Sequence, residues 1–509
     1  MISLFGTIGL SGQAAPWFIA APPWVTSWLT PLWISGLGVL AGLLFLALIW
    51  GVVALFSRPA AAEVPRAIRE GPLSWIFVVA CLWAGFGLAS TAVVREPGEL
   101  LASLGRLPFT GTRTWDFDIG AEDAQREIAV SYRRDELRRL ELKSDVDLTI
   151  RASADPDTDR YAKIDVTAEE EVSWGAQKAA RSTPDEISSL YVWNRSGTPG
   201  KLHVVVGTAP RHAEVLTAAI TAVALVGLFL LYFLQRLLMP KLAAISLTTT
   251  KSELAQPIFL ICLALGIFLL ILFIFLPYQT LDEEIKMLKD SGLTLIRVLA
   301  IVVALWAAST SVAAEIEGRT ALTVLSKPIS RWQFILGKFS GITWTVVVLF
   351  VVLGCVFLLT VAYKPIHDSR EMTEDMPSWQ ICHLEMVGAV PGLVLGLMET
   401  VVLAALSVAI STRLSLLGNF SICSSVYVLG HLTPLIVKSS LGQLEPVAFV
   451  GQLLATILPV LENFDIQPAI AGGRPVPYEY LCMSLVYCML YSTVAMLLAL
   501  VLFEDRDLA

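Results

Sequence analysis

Charge is what this sequence has least of. Asp, Glu, Lys and Arg make up 16% of it, against about a quarter of an ordinary soluble domain, and that shortage excludes a wholly water-exposed fold. No basic stripe runs through it, which excludes a nucleic-acid surface, and the net charge of −8 adds nothing further. Cysteine is missing from residues 95–213, so no disulfide framework is encoded there. Cys81, Cys262, Cys355, Cys423, Cys482 and Cys488 fall in apolar runs, and Cys382 falls in a loop. No positive stretch opens the chain, Arg58 being the first charge, and no cleavable signal is expected. The phosphate-cradling pattern G-x-x-x-x-G-K-[ST] is also missing. "GKF" at Gly337 and "GTPGKL" at 197–202 lack both the hydroxyl after Lys and the spacing, so these residues are not expected to hydrolyse ATP. Neither H-E-x-x-H nor G-x-S-x-G occurs, leaving a membrane enzyme without a catalytic constellation. No internal repeat is visible.

What the sequence does have is apolar length. Hydrophobic residues make up 55% of it and the mean hydropathy is +0.69. Runs of about 20 residues can cross a hydrocarbon core, and about nine are present: 32–56, 72–94, 215–234, 257–279, 292–314, 341–363, 386–410, 416–437 and 479–503. The uncharged residues 1–31 carry Trp17, Trp24 and Trp28, with Trp33 just after; these suit a membrane interface.

The loop "SRPAAAEVPRAIREG" holds Arg58, Arg66 and Arg69, and positive-inside reasoning makes it cytoplasmic. Alternation then puts residues 95–213 outside, and "QRLLMPK" with Arg236 and Lys241 inside. It also puts 315–339, "STRLS" (411–415) and "FEDRDLA" inside. Lys286, Lys289, Lys364 and Lys438 fall outside, so the bias is moderate.

The expected architecture is an all-α polytopic membrane protein with an inserted extracytoplasmic β-rich, sandwich-like domain. It divides into a two-span membrane region (1–94), the β-rich domain (95–213), a third span (214–240) and a six-span unit (241–509). In the β-rich domain "REIAVSY", "VDLTIRA", "YAKIDVTAEEEVSW", "LYVWN" and "KLHVVVGT" alternate as strands do. "DPDTD" and "NRSGTPGK" are turns, and "DELRRLELK" suits a short helix or a strand. Its mixed charges read as a solvated surface.

The segment "EIEGRTALTVLSKPISRWQFILGKF" (315–339) interrupts the apolar runs. A first helical piece runs on to Leu325 and stops at "SKP", because Pro328 disfavours helical angles at Lys327. A second opens with Ser330 as N-cap and Gln333 three residues on, a capping box, with Ile329 and Phe334 as a hydrophobic staple. This predicts helix–break–helix at the cytoplasmic surface. Two readings fit: an element lying among lipid headgroups, or a lever that a cytoplasmic protein grips.

Here the sequence resembles the ABC-2-type permeases, the membrane subunits of ATP-binding cassette exporters. The resemblance covers about 241–509. It rests on E-x-E-x-R-T-x-L-x-V-L-S-K-P-I-S-R-x-x-F-x-L-G-K-F in that segment, "STRLS" after a span carrying Glu399, "LPVLENFD" (458–465), the closing "LFEDRDL", and the lead-in "PKLAAISLTTTKSEL". The first 240 residues match no part of the family pattern. The resemblance implies a permease pair, homo- or heteromeric, each member clamped by a cytoplasmic ABC ATPase that carries ATP and Mg, with no cofactor on this chain. It assigns the ATPase-coupling loop to Glu315, Glu317, Arg319, Thr320, Leu322, Leu325, Ser326, Lys327, Pro328, Ser330, Arg331 and Lys338. It also implies a re-entrant hairpin within 441–478, and a multi-pass location in the cell membrane.

Among single residues, Glu399 in mid-span is expected to face protein or water. It suits either a translocation-path group or a helix–helix hydrogen bond. Asn419, taken with it as a path candidate, and His431 suit hydrogen bonds between helices. Arg297, near the outer end of its span, is expected to snorkel. Pro391 and Gly396 are expected to bend their span. His367, Asp368, Cys382, His383 and Glu385 have no strong ligand spacing, and no metal site is expected. A rival from a different class is a non-transporting membrane sensor or scaffold whose external domain binds a ligand.

Overall fold

In the computed structural model, residues 22–121, 125–151, 163–168, 171–175, 186–276, 284–313, 315, 329–373, 375–438, 449 and 458–504 are described. The chain forms two compact units, 1–94 with 220–509, and 95–219.

The helical unit contains α1 (Pro23–Phe56), α2 (Arg58–Arg69), α3 (Pro72–Ser90), α5 (Leu216–Leu238, which opens in the other unit), α6 (Pro240–Leu254), α7 (Pro257–Phe275), α8 (Glu284–Ala308) and α9 (Arg331–Glu371). It continues with α10 (Trp379–Ser411), α11 (Leu416–Lys438), the short α12 (Gln467–Ala471) and α13 (Tyr478–Glu504). Eight helices among the described residues are long and apolar enough to cross a membrane. The run expected at 416–437 lies on α11, whose apolar stretch Leu416–Leu432 is shorter than those eight.

Three features depart from expectation. The charged loop after the first span is a helix, α2, strongly amphipathic and carrying Arg66 and Arg69 in its last turn. Helix α1 begins at Pro23, ahead of the apolar run, and Trp33 is buried, 2% exposed. Its indole donates to Thr91 Oγ1 at 3.0 Å, so close packing of α1 on α3 claims it. The helices meet where Gly36 faces Gly87, so close that a Cβ on Gly36 would lie 2.8 Å from Gly87 Cα. Finally, α9 has 41 residues. At 1.5 Å per residue it runs about 60 Å, about twice a hydrocarbon core. Pro391 lies within the continuous α10.

The second unit holds α4 (Pro97–Arg106) and ten strands: β1 (Gly111–Ile119), β2 (Arg126–Ile128), β3 (Tyr132–Arg133), β4 (Leu137–Ser144), β5 (Leu148–Arg151), β6 (Ile164–Val166), β7 (Glu171–Gly175), β8 (Glu186–Ile187), β9 (Leu190–Asn194) and β10 (Gly200–Thr208). They pair antiparallel as β1-β10-β4-β7, β2-β9-β5-β6 and β3-β8. Period-2 alternation turns Leu140 and Leu142 of β4 and Leu202, Val204 and Val206 of β10 into the same core as Leu148 and Ile150 of β5. "DELRRLELK" is thus a strand. Strand β1 was not anticipated; Trp115, Phe117 and Ile119 alternating with Thr114, Asp116 and Asp118 carried the signal. Arg106 of α4 is forked onto the buried Glu136, Nε to Oε1 at 2.7 Å and Nη2 to Oε2 at 2.8 Å.

Candidate functional site

Two groups of polar side chains stand out in the helical unit. The first surrounds the coupling segment. Glu317, Arg319, Thr320, Leu322, Leu325, Ser326, Lys327 and Pro328 lie outside the described residues; Glu315, Ser330, Arg331 and Lys338 do not. Ser330 caps α9 as its sequence anticipates: a capping box forms, the Ser330 N–H donating to Gln333 Oε1 at 3.2 Å. Arg331 donates to the carbonyl of Glu504 at 3.0 Å, and Phe334 stacks on Phe503 with centroids 5.8 Å apart. The start of α9 is thereby fixed to the end of α13. Lys338, 6% exposed, reaches back to Glu315 at 2.5 Å.

The lead-in helix α6 packs along this same turn of α9. Gly337 and Gly341 allow the approach: a Cβ on Gly341 would lie 2.6 Å from Thr249 Cβ and 2.8 Å from the Ser246 carbonyl. Thr250 donates to the Gly341 carbonyl at 3.0 Å. Four residues apart, the two glycines form the small-xxx-small pattern that lets membrane helices touch backbone to backbone, a signal visible in the spacing alone. Glu253 of α6 is 3% exposed and accepts from Thr310 at 3.3 Å. Burial pushes its carboxyl up to about 7, against the hydrogen bond from Thr310 and the charge of Lys338. Thr310 sits in a π-helical turn, Ser309–Ala313, a local widening that recurs at functional sites.

The second group lies inside the bundle. Glu399 of α10 is fully buried, and Arg297 of α8 donates to it from Nη1 at 3.0 Å. Asp465 approaches the same Arg297 nitrogen at 3.8 Å, and His431 Nε2 of α11 lies 3.4 Å from Glu399 Oε1. Arg297 is 6% exposed. The expectation that it snorkels is therefore corrected: two carboxylates draw the guanidinium inward, where paired charge costs less than an isolated ion. Glu399 and Asp465, drawn from two separate family-like stretches, thus converge on one arginine. Asn419 stands elsewhere. Its amide donates to Ser309 Oγ and Ser407 Oγ, each at 2.8 Å, and Ser407 follows Glu399 by two turns, ~12 Å along α10.

Two more buried cations tie α8 to its neighbours. Lys289 pairs with Glu385 of α10, and Lys364 of α9 lies 2.7 Å from both Glu284 and Asp368. His367, Asp368 and Glu371 offer ligand atoms within 4.8 Å of one another, but the Lys364 ammonium holds Asp368. Glu385, another metal candidate, is taken up by Lys289.

Residues 269–508 match the family described as ABC-2 family transporter protein. The match takes in α8 to α13, with both the Arg297–Glu399 cluster and the capped start of α9 inside it. Comparison with curated proteins found no match.

Proposed function

Given an ABC-2 family transporter domain over residues 269–508, and eight helices among the described residues able to cross a membrane, which supports a permease subunit of an ABC transporter, we propose that this chain is the membrane subunit of an ATP-driven exporter. A separate cytoplasmic ATPase binds ATP and Mg and grips the segment around Arg319–Lys327. A second permease subunit completes the pathway. The chain lies in the cell membrane with α2, α6 and the coupling segment cytoplasmic, and 95–213 outside.

The carrying observation is mechanical. The coupling segment runs directly into the capped first turn of α9, which is clamped to α13 by Arg331 and Phe334 and to α6 through Gly341. Force on a short cytoplasmic element therefore moves a rigid 41-residue helix as one body. Close-packed interiors transmit such displacement instead of absorbing it. Elsewhere in the same unit, Arg297, Glu399 and Asp465 hold α8, α10 and the segment before α12 together. Parting them opens the path outward, and Glu399 lines it. Asn419 lines the path nearer the coupling segment.

Reversing charge at Arg319 and Lys327 tests this. Expected are normal membrane insertion, loss of ATPase binding, and loss of export. ATPase binding and export that survive the reversal would refute the lever, and the sensor or scaffold reading would then take its place.

A further inference from the structure

A cleft of about 1300 Å³ opens between α1, α3 and α5, floored by α2. Its walls are apolar, with Leu46, Trp50, Phe77, Phe229 and Phe233 among them, while Arg69 and Arg236 stand at the α2 end. We propose that this cleft binds one anionic glycerophospholipid, its acyl chains between the three spans and its phosphate on Arg69 and Arg236.

The polarity is the first reason. A site for a small polar molecule distributes hydrogen-bonding groups around its ligand, whereas here they are confined to one end. That end coincides with an amphipathic helix joining two spans, the depth at which headgroups lie. The arginines are the second reason. Arg236 is 3.2 Å from Glu63, which also lines the α2 end of the cleft, and it bonds Tyr232 as well, contacts that still leave donors over among the five N–H groups of a guanidinium. Arg69 has no carboxylate partner among the described residues. Arginine suits a phosphate because its planar fork can donate two bonds at once.

Anchoring is the third reason. The floor is held in place: Trp50 Nε1 donates to the Ala61 carbonyl at 2.9 Å, and Glu70 meets Lys251 of α6 at 2.9 Å. A wall is held too, since Gln235 of α5 donates to Ser340 of α9 at 2.7 Å and accepts from Trp344 at 2.9 Å. A lipid seated here therefore bears on α6 and α9, the helices that root the coupling segment, as a transient annular lipid does not.

The full chain, reconstituted in phosphatidylcholine vesicles with a trace of photoreactive phosphatidylglycerol, provides the test. Labelling is expected on α1, α3 and α5 facing the cleft, and unlabelled phosphatidylglycerol should compete better than phosphatidylcholine. Arg69→Gln and Arg236→Gln should each reduce that preference about fivefold, the effect of one basic residue near a membrane surface. Both side chains are exposed enough for the fold to survive. Val78→Trp, at the mouth of the cleft, should abolish labelling. Even labelling over all lipid-facing helices, equal competition by the two lipids, or competition by inorganic phosphate alone would each overturn the proposal.

Discussion

The helices of the N-terminal region and the central helices α8, α9 and α10 of the transporter domain are buried to opposite degrees. Of the most apolar stretches of α1, α3 and α5, 6%, 33% and 22% are buried; for α8, α9 and α10 the shares are 61%, 61% and 67%. Among the described residues α1, α3 and α5 bury no charged side chain, while α8, α9 and α10 bury Lys289, Arg297, Lys338, Lys364 and Glu399. Lipid cannot solvate a charge, so an ionisable group survives at that depth only inside protein and beside a counter-ion. High hydropathy alone therefore does not mark the working part of a membrane protein. The charges inserted into it do.

The contrast can be broken hardest at its centre. Glu399→Ala leaves Arg297 buried beside only a distant Asp465 and should lower stability by about 3–5 kcal/mol. Replacing both residues with Leu and Met should be milder than either single change, and melting in detergent reads both. At the root of the coupling segment, Glu253 titrates where it can be followed. Its folded pKa of about 7 lies above the ordinary 4.5, so between those values the folded state holds a proton that the unfolded state releases. Stability falls as pH rises through that window. Glu253→Gln should flatten the slope and raise stability at pH 8, on the order of 2–3 kcal/mol. An unchanged melting profile from pH 5 to pH 8 would remove the buried-acid interpretation.

Smaller effects sharpen the same comparison. Gly341→Ala drives a methyl into the backbone of α6 and should cost about 1–3 kcal/mol. Gly227→Ala in α5, with nothing within 4 Å, should be neutral or stabilise by up to about 1 kcal/mol. Least of all, Glu63→Gln breaks an exposed pair with Arg236 and should change stability by about 0–1 kcal/mol.

What could be read from sequence divides along the same physical line. Local chemistry was legible: Ser330 with Gln333 marked the start of α9, and alternation marked β5, β9 and β10, because each signal lies within a few residues; β4 stayed open between helix and strand. Pairings across the bundle were not. Arg297 and Glu399 are 102 positions apart, and hydropathy scores an arginine near a span end the same way whether lipid or a carboxylate faces it. The same holds for Glu253 and Thr310, since neither looks unusual until α6 is laid beside the π-helical turn after α8. Gly337 and Gly341 form the intermediate case, a local spacing whose meaning needs a partner helix. The amphipathic α2 was legible in principle, but a cluster of Pro and Ala in a short connection reads more readily as a loop.

The most direct measurement is to tag the full chain, extract it from its native membranes in mild detergent, and assay the co-purifying material for ATP hydrolysis. A stoichiometric ATPase that is lost when Arg319 and Lys327 are reversed is the expected result. An intact, folded chain that brings down no ATPase would contradict the exporter and shift attention to the β-rich unit as the place where function lies.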